Sequence, residues 1–310
     1  MINNAIVTGA TGFVGRWLIW ELQRQDINVV AVVRPNSSRE KYITKDLGII
    51  KIVECDMREL FKLPDYIGEM EDCAFFHLAW EGVYGPKRVD LQTQLNCVSA
   101  SKSAVEVAAK LKCKRFIGLG SIMEKEAVAV AEADGAMPGM PYIYGEAKHM
   151  AHLLTKATAV ETGIDHLWPV LTNPYGENDD STRFVNATLR KIMNDEPLEF
   201  SAGTQIYDFI HIEDAVKAIV AVAKYGKPFH SYLIGSGKAA PLRQFVETIG
   251  QVVAPEKKLL FGSIPYSGVQ LGEEIFSIES LTRDTGFSPK IEFGEGICRT
   301  MKWLREKEER

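Results

Sequence analysis

The side chains of this chain that point most directly to chemistry are Ser121, Tyr144 and Lys148. Tyrosine and lysine stand four residues apart in Tyr144-Gly145-Glu146-Ala147-Lys148. That is just over one helical turn, so both project from one face. A phenol with its ordinary pKa of about 10 moves protons poorly at neutral pH. A neighbouring ammonium favours the phenolate and lowers that value. Ser121 follows the apolar run Arg115–Leu119, where a hydroxyl can hydrogen-bond a carbonyl or alkoxide and align it with the tyrosine. Such a set moves a proton on or off an oxygen while hydride moves at the same carbon. Alone, each feature has a plainer use, the pair as a helix surface and the serine as a turn residue. Their order behind a glycine turn sets them apart.

That turn lies in the opening MINNAIVTGATGFVG. Ala5-Ile6-Val7-Thr8-Gly9 reads as a buried strand running into a turn, and Trp17–Leu22 as the helix that follows. Strand, glycine turn and helix put backbone N–H groups and a positive helix end where a pyrophosphate can sit. Gly9 permits the tight turn, Gly12 lets the backbone approach the phosphates, and Gly15 lets helix and strand pack closely. Thr11, Phe13 and Val14 complete the loop. The spacing is GxxGxxG, a variant seen in short-chain dehydrogenase-like Rossmann domains. In such folds the end of the second strand reads the adenosine ribose: an acid selects NAD, and an arginine accommodates the 2′-phosphate of NADP. Here it reads Val32-Val33-Arg34-Pro35-Asn36-Ser37-Ser38-Arg39, without an acid. Arg34, Ser37 and Arg39 therefore predict NADP, with NAD as the alternative.

These residues need elements to hold them in place. Strands are predicted at Asn28–Val33, Ile49–Val53, Ala74–Leu78, Arg115–Leu119 and Asp165–Val170, with helices at Leu91–Leu111 and Gly145–Thr162. Such alternation predicts an α/β fold, a Rossmann-like doubly wound parallel sheet covered on both faces. Residues 1–171 form its dinucleotide-binding domain. Helices at Phe184–Asn194, Ile212–Lys224, Leu242–Val253 and Gly294–Lys307, joined by loop-rich segments, predict a smaller C-terminal substrate-binding domain. It takes in mainly 172–310, with 206–235 returning to the first domain.

The 310 residues are 46% hydrophobic and 25% charged, with net charge −5. The absence of a basic stripe argues against nucleic acid as a partner. No apolar run approaches the roughly 18 residues of a membrane span, and the opening lacks a signal-peptide pattern. The scattered cysteines, Cys55, Cys73, Cys97, Cys113 and Cys298, show no CxxC spacing. That predicts free thiols in a reducing cytoplasm, with neither disulfides nor a metal site.

With these motifs the chain resembles the extended short-chain dehydrogenase/reductases, the NAD-dependent epimerase/dehydratase group acting on nucleotide sugars. The resemblance spans nearly the whole chain. Besides TGATGFVG and YGEAK it includes His77-Leu78-Ala79, Asn96, Asn173-Pro174-Tyr175-Gly176, Asp208 to Asp214 and the closing Ile291–Trp303. It implies that Ser121, Tyr144 and Lys148 are the catalytic set. Asn96 would support the lysine through a water and backbone relay, and Asn173 would contact the nucleotide-sugar pyrophosphate. Asp56, with Met57, is implied as the adenine contact, and Leu78, Ala79 and Trp80 as cofactor contacts. Two arginines usual in the group, both tied to the donor nucleotide, are replaced by Val170 and Tyr207.

The same comparison narrows the reaction. The Asp-Glu pair of the 4,6-dehydratases is Ile122-Met123 here, and the cysteine of the 3,5-epimerase/reductases is Met123. Neither chemistry is expected, and Glu124 is expected to face solvent. His77-Leu78-Ala79-Trp80 is similar to bacterial reductases of dTDP- or CDP-linked 4-keto-6-deoxyhexoses. Trp80 and Tyr84 would stack on the sugar, beside Ser121, Ile122, Met123, Asn173 and Tyr207. The first reading is NADP-dependent reduction at C4. The alternatives are a nucleotide-sugar 4-epimerase with tightly held NAD, and a non-catalytic NADP-binding sensor. Helices Leu91–Leu111 and Gly145–Thr162 carry wide apolar faces: Val98, Val105, Val107 and Leu111, and Met150, Leu153, Leu154 and Ala157. Related folds pair these helices across a two-fold axis into a four-helix interface, and the resemblance implies a homodimer of that kind.

Overall fold

The computed structural model describes residues 2–43, 51–266 and 268–309. Its first half alternates strand and helix: β1 (Asn4–Thr8), α1 (Phe13–Arg24), β2 (Asn28–Val33), β3 (Lys51–Glu54), α2 (Leu63–Ile67), β4 (Cys73–His77), α3 (Leu91–Lys110), β5 (Arg115–Gly118), β6 (Gly120–Ser121), α4 (Met123–Glu132), α5 (Ile143–Thr162) and β7 (Asp165–Leu171). Shorter elements follow: β8 (Asn173–Tyr175), α6 (Phe184–Met193), β9 (Leu198–Phe200), β10 (Ile206–Tyr207), β11 (Phe209–His211), α7 (Ile212–Tyr225), β12 (Ser231–Ile234), β13 (Ala240–Pro241), α8 (Leu242–Val253), β14 (Leu259–Phe261), α9 (Glu279–Thr285) and α10 (Phe293–Glu308).

The main sheet runs β12-β7-β5-β4-β1-β2-β3, with β6 also paired to β7. Every pair in it is parallel. Successive residues of a strand point to opposite faces, and β1 shows what that demands. Ala5 and Val7 pack into one core with Leu18, Ile19 and Ile219, while Ile6 packs into the other with Phe75, Val105 and Phe116. Helices α1 and α7 thus cover one face, and α3 and α5 the other. Strand order reverses between β1 and β4, so the crossovers leave in opposite directions and open a crevice at the C-terminal strand ends. A third core, with Leu189, Phe209, Phe245 and Ile297, binds α6, α8 and α10 over the small pairs β8–β11 and β9–β14.

Three expectations change here. The third strand covers Lys51–Glu54, and Ile49 and Ile50 lie outside the described residues. Helix α4 was not foreseen, because Met123–Glu132 carries no clear apolar stripe; it buries Glu124, Ala127 and Val130. The apolar faces are also redistributed. Val98, Val105, Val107 and Leu111 are buried inside the chain, where α3 packs on the sheet and α5. Only Met150, Leu153 and Ala157 of the predicted α5 face are exposed, and Leu91, Leu95 and Val160 join them.

Candidate active site

A cleft of about 1610 Å³ opens at the C-terminal ends of the strands. That exceeds the few hundred to about 1,000 Å³ of a single small-ligand pocket, leaving room for a dinucleotide and a second molecule. At one end is the glycine turn. Gly9 has φ +69°, and a Cβ there would stand 2.7 Å from the Ala79 nitrogen. A Cβ at Gly15 would lie 2.2 Å from the Gly9 carbonyl oxygen. Only glycine lets β1, α1 and the end of β4 meet. Gly12 caps α1 with no side chain, and the first turn holds no acid. The Phe13, Val14 and Gly15 amides are left for a ligand, and Thr11 lines the wall beside them. A dinucleotide pyrophosphate fits this cradle.

Beyond the turn, Arg34 and Arg39 line the cleft, and neither has an ion-pair partner among the described residues. Asp56 lines it too, fixed by Arg58 through Nε at 2.8 Å and Nη2 at 3.0 Å. Those bonds hold its carboxyl below the usual range. Met57, Leu78, Ala79 and Trp80 complete this wall. Two predicted contacts do not reach it. Ser37 sits in a turn off the wall, its amide donating to the Arg34 carbonyl at 3.2 Å. Asn96 accepts from Gln92 at 2.9 Å along α3. At about 100° per residue, α3 turns Gln94 and Cys97, not Asn96, toward the loop after β4.

Ser121, Tyr144 and Lys148 converge where β6 and α5 meet the cleft. Tyr144 is buried, and burial pushes its phenol up to about 12, opposed first by Arg88 and then by a hydrogen bond with Ser121. The Arg88 guanidinium lies 4.7 Å from the Tyr144 ring centroid and donates to the Val83 carbonyl at 2.9 Å. Lys148, to which the sequence reading gives that charge, stands one helical turn further along α5. Its Nζ donates to the Leu119 carbonyl at 2.8 Å and lies 3.7 Å from the Trp80 ring centroid. Burial pulls Lys148 down to about 8, against the pull of Glu124 and Cys97. Trp80 is thus engaged with Lys148 and, edge to face, with Tyr144, and its indole N–H donates to Gln94 at 2.9 Å. His77, driven down to about 3 by burial, is a neutral bridge between Thr8 and Ser101.

The expectation for Glu124 is overturned as well. It is 4% exposed, and its carboxylate accepts the Ser121 amide at 2.8 Å. Helix α4 starts at Met123, which turns position 124 inward toward β7. Ile122, Met123, half-exposed Tyr84, Asn173 and Tyr207, the residues predicted to meet the substrate, also line the cleft. Asn173 Nδ2 donates to the Asp208 carbonyl at 3.0 Å. Burial pushes Tyr207 up to about 12, with Glu126 adding to the rise. Sequence reasoning missed Arg88, Glu126, Tyr142, Arg183 and Tyr266 on this wall. Arg88 follows Gly85-Pro86, a turn signal, but nothing in the sequence aims it at Tyr144.

Residues 5–235 match the model of the family described as NAD dependent epimerase/dehydratase. The CDP-abequose synthase of Salmonella muenchen is 24% identical over 296 residues, covering 94% of each chain. The dTDP-4-dehydro-6-deoxyglucose reductase of Escherichia coli is 24% identical, covering 98% of each. Among solved structures, the UDP-glucose 4-epimerase of Thermotoga maritima superposes with a TM-score of 0.80 at 19% identity. That match covers 98% of this chain and 99% of the other.

Proposed function

The chain belongs to the NAD dependent epimerase/dehydratase family, and from that premise we propose that it reduces the C4 keto group of a nucleotide-diphospho-6-deoxyhexose with NADPH. The observation that carries this reading is the cleft wall: Ser121 and Tyr144 meet there beside the glycine turn, while apolar Ile122 and Met123 follow the serine. Proton transfer to oxygen is provided for, while the two positions after the serine carry no acid or base for work at neighbouring carbons. The two curated relatives, matched over nearly their full length, support the same substrate class. Arg34 and Arg39, with no ion-pair partner among the described residues, support NADP over NAD.

When bound, the reduced nicotinamide supplies the hydride for C4. Gly9, Gly12 and Gly15 with the first amides of α1 hold the pyrophosphate, and Arg34 and Arg39 hold the 2′-phosphate. The Ser121 hydroxyl donates to the keto oxygen and fixes its direction. As C4 gains hydride the C=O π bond breaks, and the oxygen takes the Tyr144 phenolic proton. The phenol pushed up to about 12 is in its proton-bearing form at neutral pH, which suits an acid. Arg88 then faces the phenolate that is left. In this reading residues 1–171, joined by 206–235, hold the cofactor, and the rest of 172–310 holds the sugar nucleotide. The chain works as a homodimer through the exposed apolar residues of α3 and α5.

The test is NADPH, then NADH, consumption against dTDP- and CDP-4-keto-6-deoxyglucose. Stoichiometric NADPH consumption is expected. Bound cofactor and interconversion of nucleotide hexoses without net consumption would make the chain a 4-epimerase instead.

A further inference from the structure

One buried carboxylate stands against the catalytic set without lining the cleft. Glu124 is the second residue of α4, and its side chain is 5% exposed. Oε1 accepts the Ser121 amide at 2.8 Å, and the Trp168 indole N–H is shared between both oxygens at 3.2 Å. Oε2 lies 3.6 Å from Nδ1 of His152, whose ring stacks on Trp168 at 4.8 Å. Tyr144, Lys148 and His152 recur every four residues on one side of α5. The carboxylate is therefore enclosed between the strand end that carries Ser121 and the helix that carries Tyr144 and Lys148.

Two glycines make the room. A Cβ on Gly120 would stand 2.4 Å from Trp168 Nε1 and 2.6 Å from Glu124 Oε1. A Cβ on Gly145 would stand 2.4 Å from the Met123 carbonyl oxygen, so α4 and α5 meet backbone to backbone. Burying a carboxylate is costly unless it is paired. The partners that touch it are two neutral N–H groups and an imidazole, so packing alone would be served by an uncharged side chain.

We propose that Glu124 is a positioning residue of the catalytic set, clamping the Ser121 backbone and supplying the counter-charge for the buried ammonium of Lys148. The proposal rests on the reading of Ser121, Tyr144 and Lys148 as that set. The groups around Lys148 come from every element packed on it: Glu124 from α4, Cys97 from α3, neutral His77 from β4, Trp80 from the following loop, the Leu119 carbonyl, and Tyr144 and His152 from its own helix. Glu124 reaches this side of α5 at His152, one turn beyond Lys148, with no direct ion pair to the ammonium among the described residues. It is the leading charge that opposes the burial driving the lysine toward its neutral form.

Lysine Cε NMR titration of the whole protein without substrate tests this, the Lys148 signal being assigned by its loss in Lys148→Arg. The wild-type midpoint is expected at about 8. Glu124→Gln keeps an oxygen for the Ser121 amide but removes the charge. It should lower the midpoint by about one pH unit, tenfold in proton affinity, and lower kcat rather than raise KM. Glu124→Asp keeps the charge and should return the midpoint toward the wild-type value. An unmoved midpoint in folded Glu124→Gln overturns the proposal. If that variant does not fold, the wild-type Glu124 carboxylate carbon decides: it should shift as Lys148 titrates, and a signal that ignores that titration also overturns it. Neither readout needs turnover, so failure here is separate from failure of the reductase reading, which NADPH consumption decides.

Discussion

At the scale of single residues, the proposed proton transfer rests on Tyr144, with two cations, Arg88 and Lys148, lining the same cleft. Tyr144 holds the proton, Arg88 is the cation over its ring, and Lys148 is turned toward the Leu119 carbonyl and Trp80. Tyr144→Phe should lower kcat by about 10²–10⁴-fold, the usual weight of a positioned acid or base, with NADPH affinity kept within a few-fold by fluorescence titration. Arg88 favours the phenolate, so removing it leaves burial less opposed and the phenol titrates at higher pH. Arg88→Met should therefore move the alkaline limb of the kcat profile upward, and Arg88→Lys should hold it near wild type. A limb that stays put in Arg88→Met would show that the guanidinium does not act on the phenol.

Elements fix where those residues stand, and glycines decide how closely elements approach. Because a Cβ at Gly15 would meet the Gly9 carbonyl oxygen at 2.2 Å, Gly15→Ala must push α1 away from the turn. Such overpacking costs about 1–3 kcal/mol. The expected result is a lower Tm and NADPH affinity weakened at least tenfold, measured by thermal denaturation with and without cofactor. A second control point is Gln94, fully buried in α3, whose amide donates to the Gly82 and Lys87 carbonyls at 3.2 and 2.9 Å while its oxygen holds Trp80. Gln94→Leu leaves those carbonyls unpaired and should loosen the loop that carries Arg88. Hydrogen exchange of residues 80–88 should then accelerate while the central strands stay protected.

Across the whole molecule, the C-terminal helix is tied to β11, α7 and the loop after β8 by an acid–base network. Arg299 in α10 bonds Glu177 at 2.9 Å and Glu213 at 3.0 Å, and Glu177 bonds His211 at 2.9 Å. Burial pushes Glu177 up, but the bonds from His211 and Arg299 prevail and hold it at about 2. A carboxyl depressed by folding contributes stability above its unfolded value of about 4.3 and loses it as pH falls through the folded value. The Tm should therefore drop between about pH 4 and pH 2, and Arg299→Gln should flatten that drop. For the proposed homodimer, Leu153→Arg places a charge on the exposed face of α5 and should halve the mass seen by light scattering at micromolar concentration. A wild-type monomer in the same measurement would remove the dimer.

The sequence by itself determined the doubly wound sheet, the glycine turn and the choice of Ser121, Tyr144 and Lys148 as candidates, which the fold brings to one cleft. Those signals are local: apolar runs of strand length, glycines at fixed offsets, and residues one helical turn apart. The same locality explains what it could not decide. Arg88 comes to rest over Tyr144 because the loop after β4, pinned to the start of α3 by Gln94, packs against α5, which lies more than fifty residues further along the chain. Glu124 turned inward because Gly120 leaves space and Trp168, from β7, offers its indole N–H. Asn96 left the cleft through one residue of helical rotation, and the valines of α3 went inside against α5 and the sheet. Partners for a charge, and the side of a helix that is covered, are set by what packs against it. Only the tertiary structure decides that.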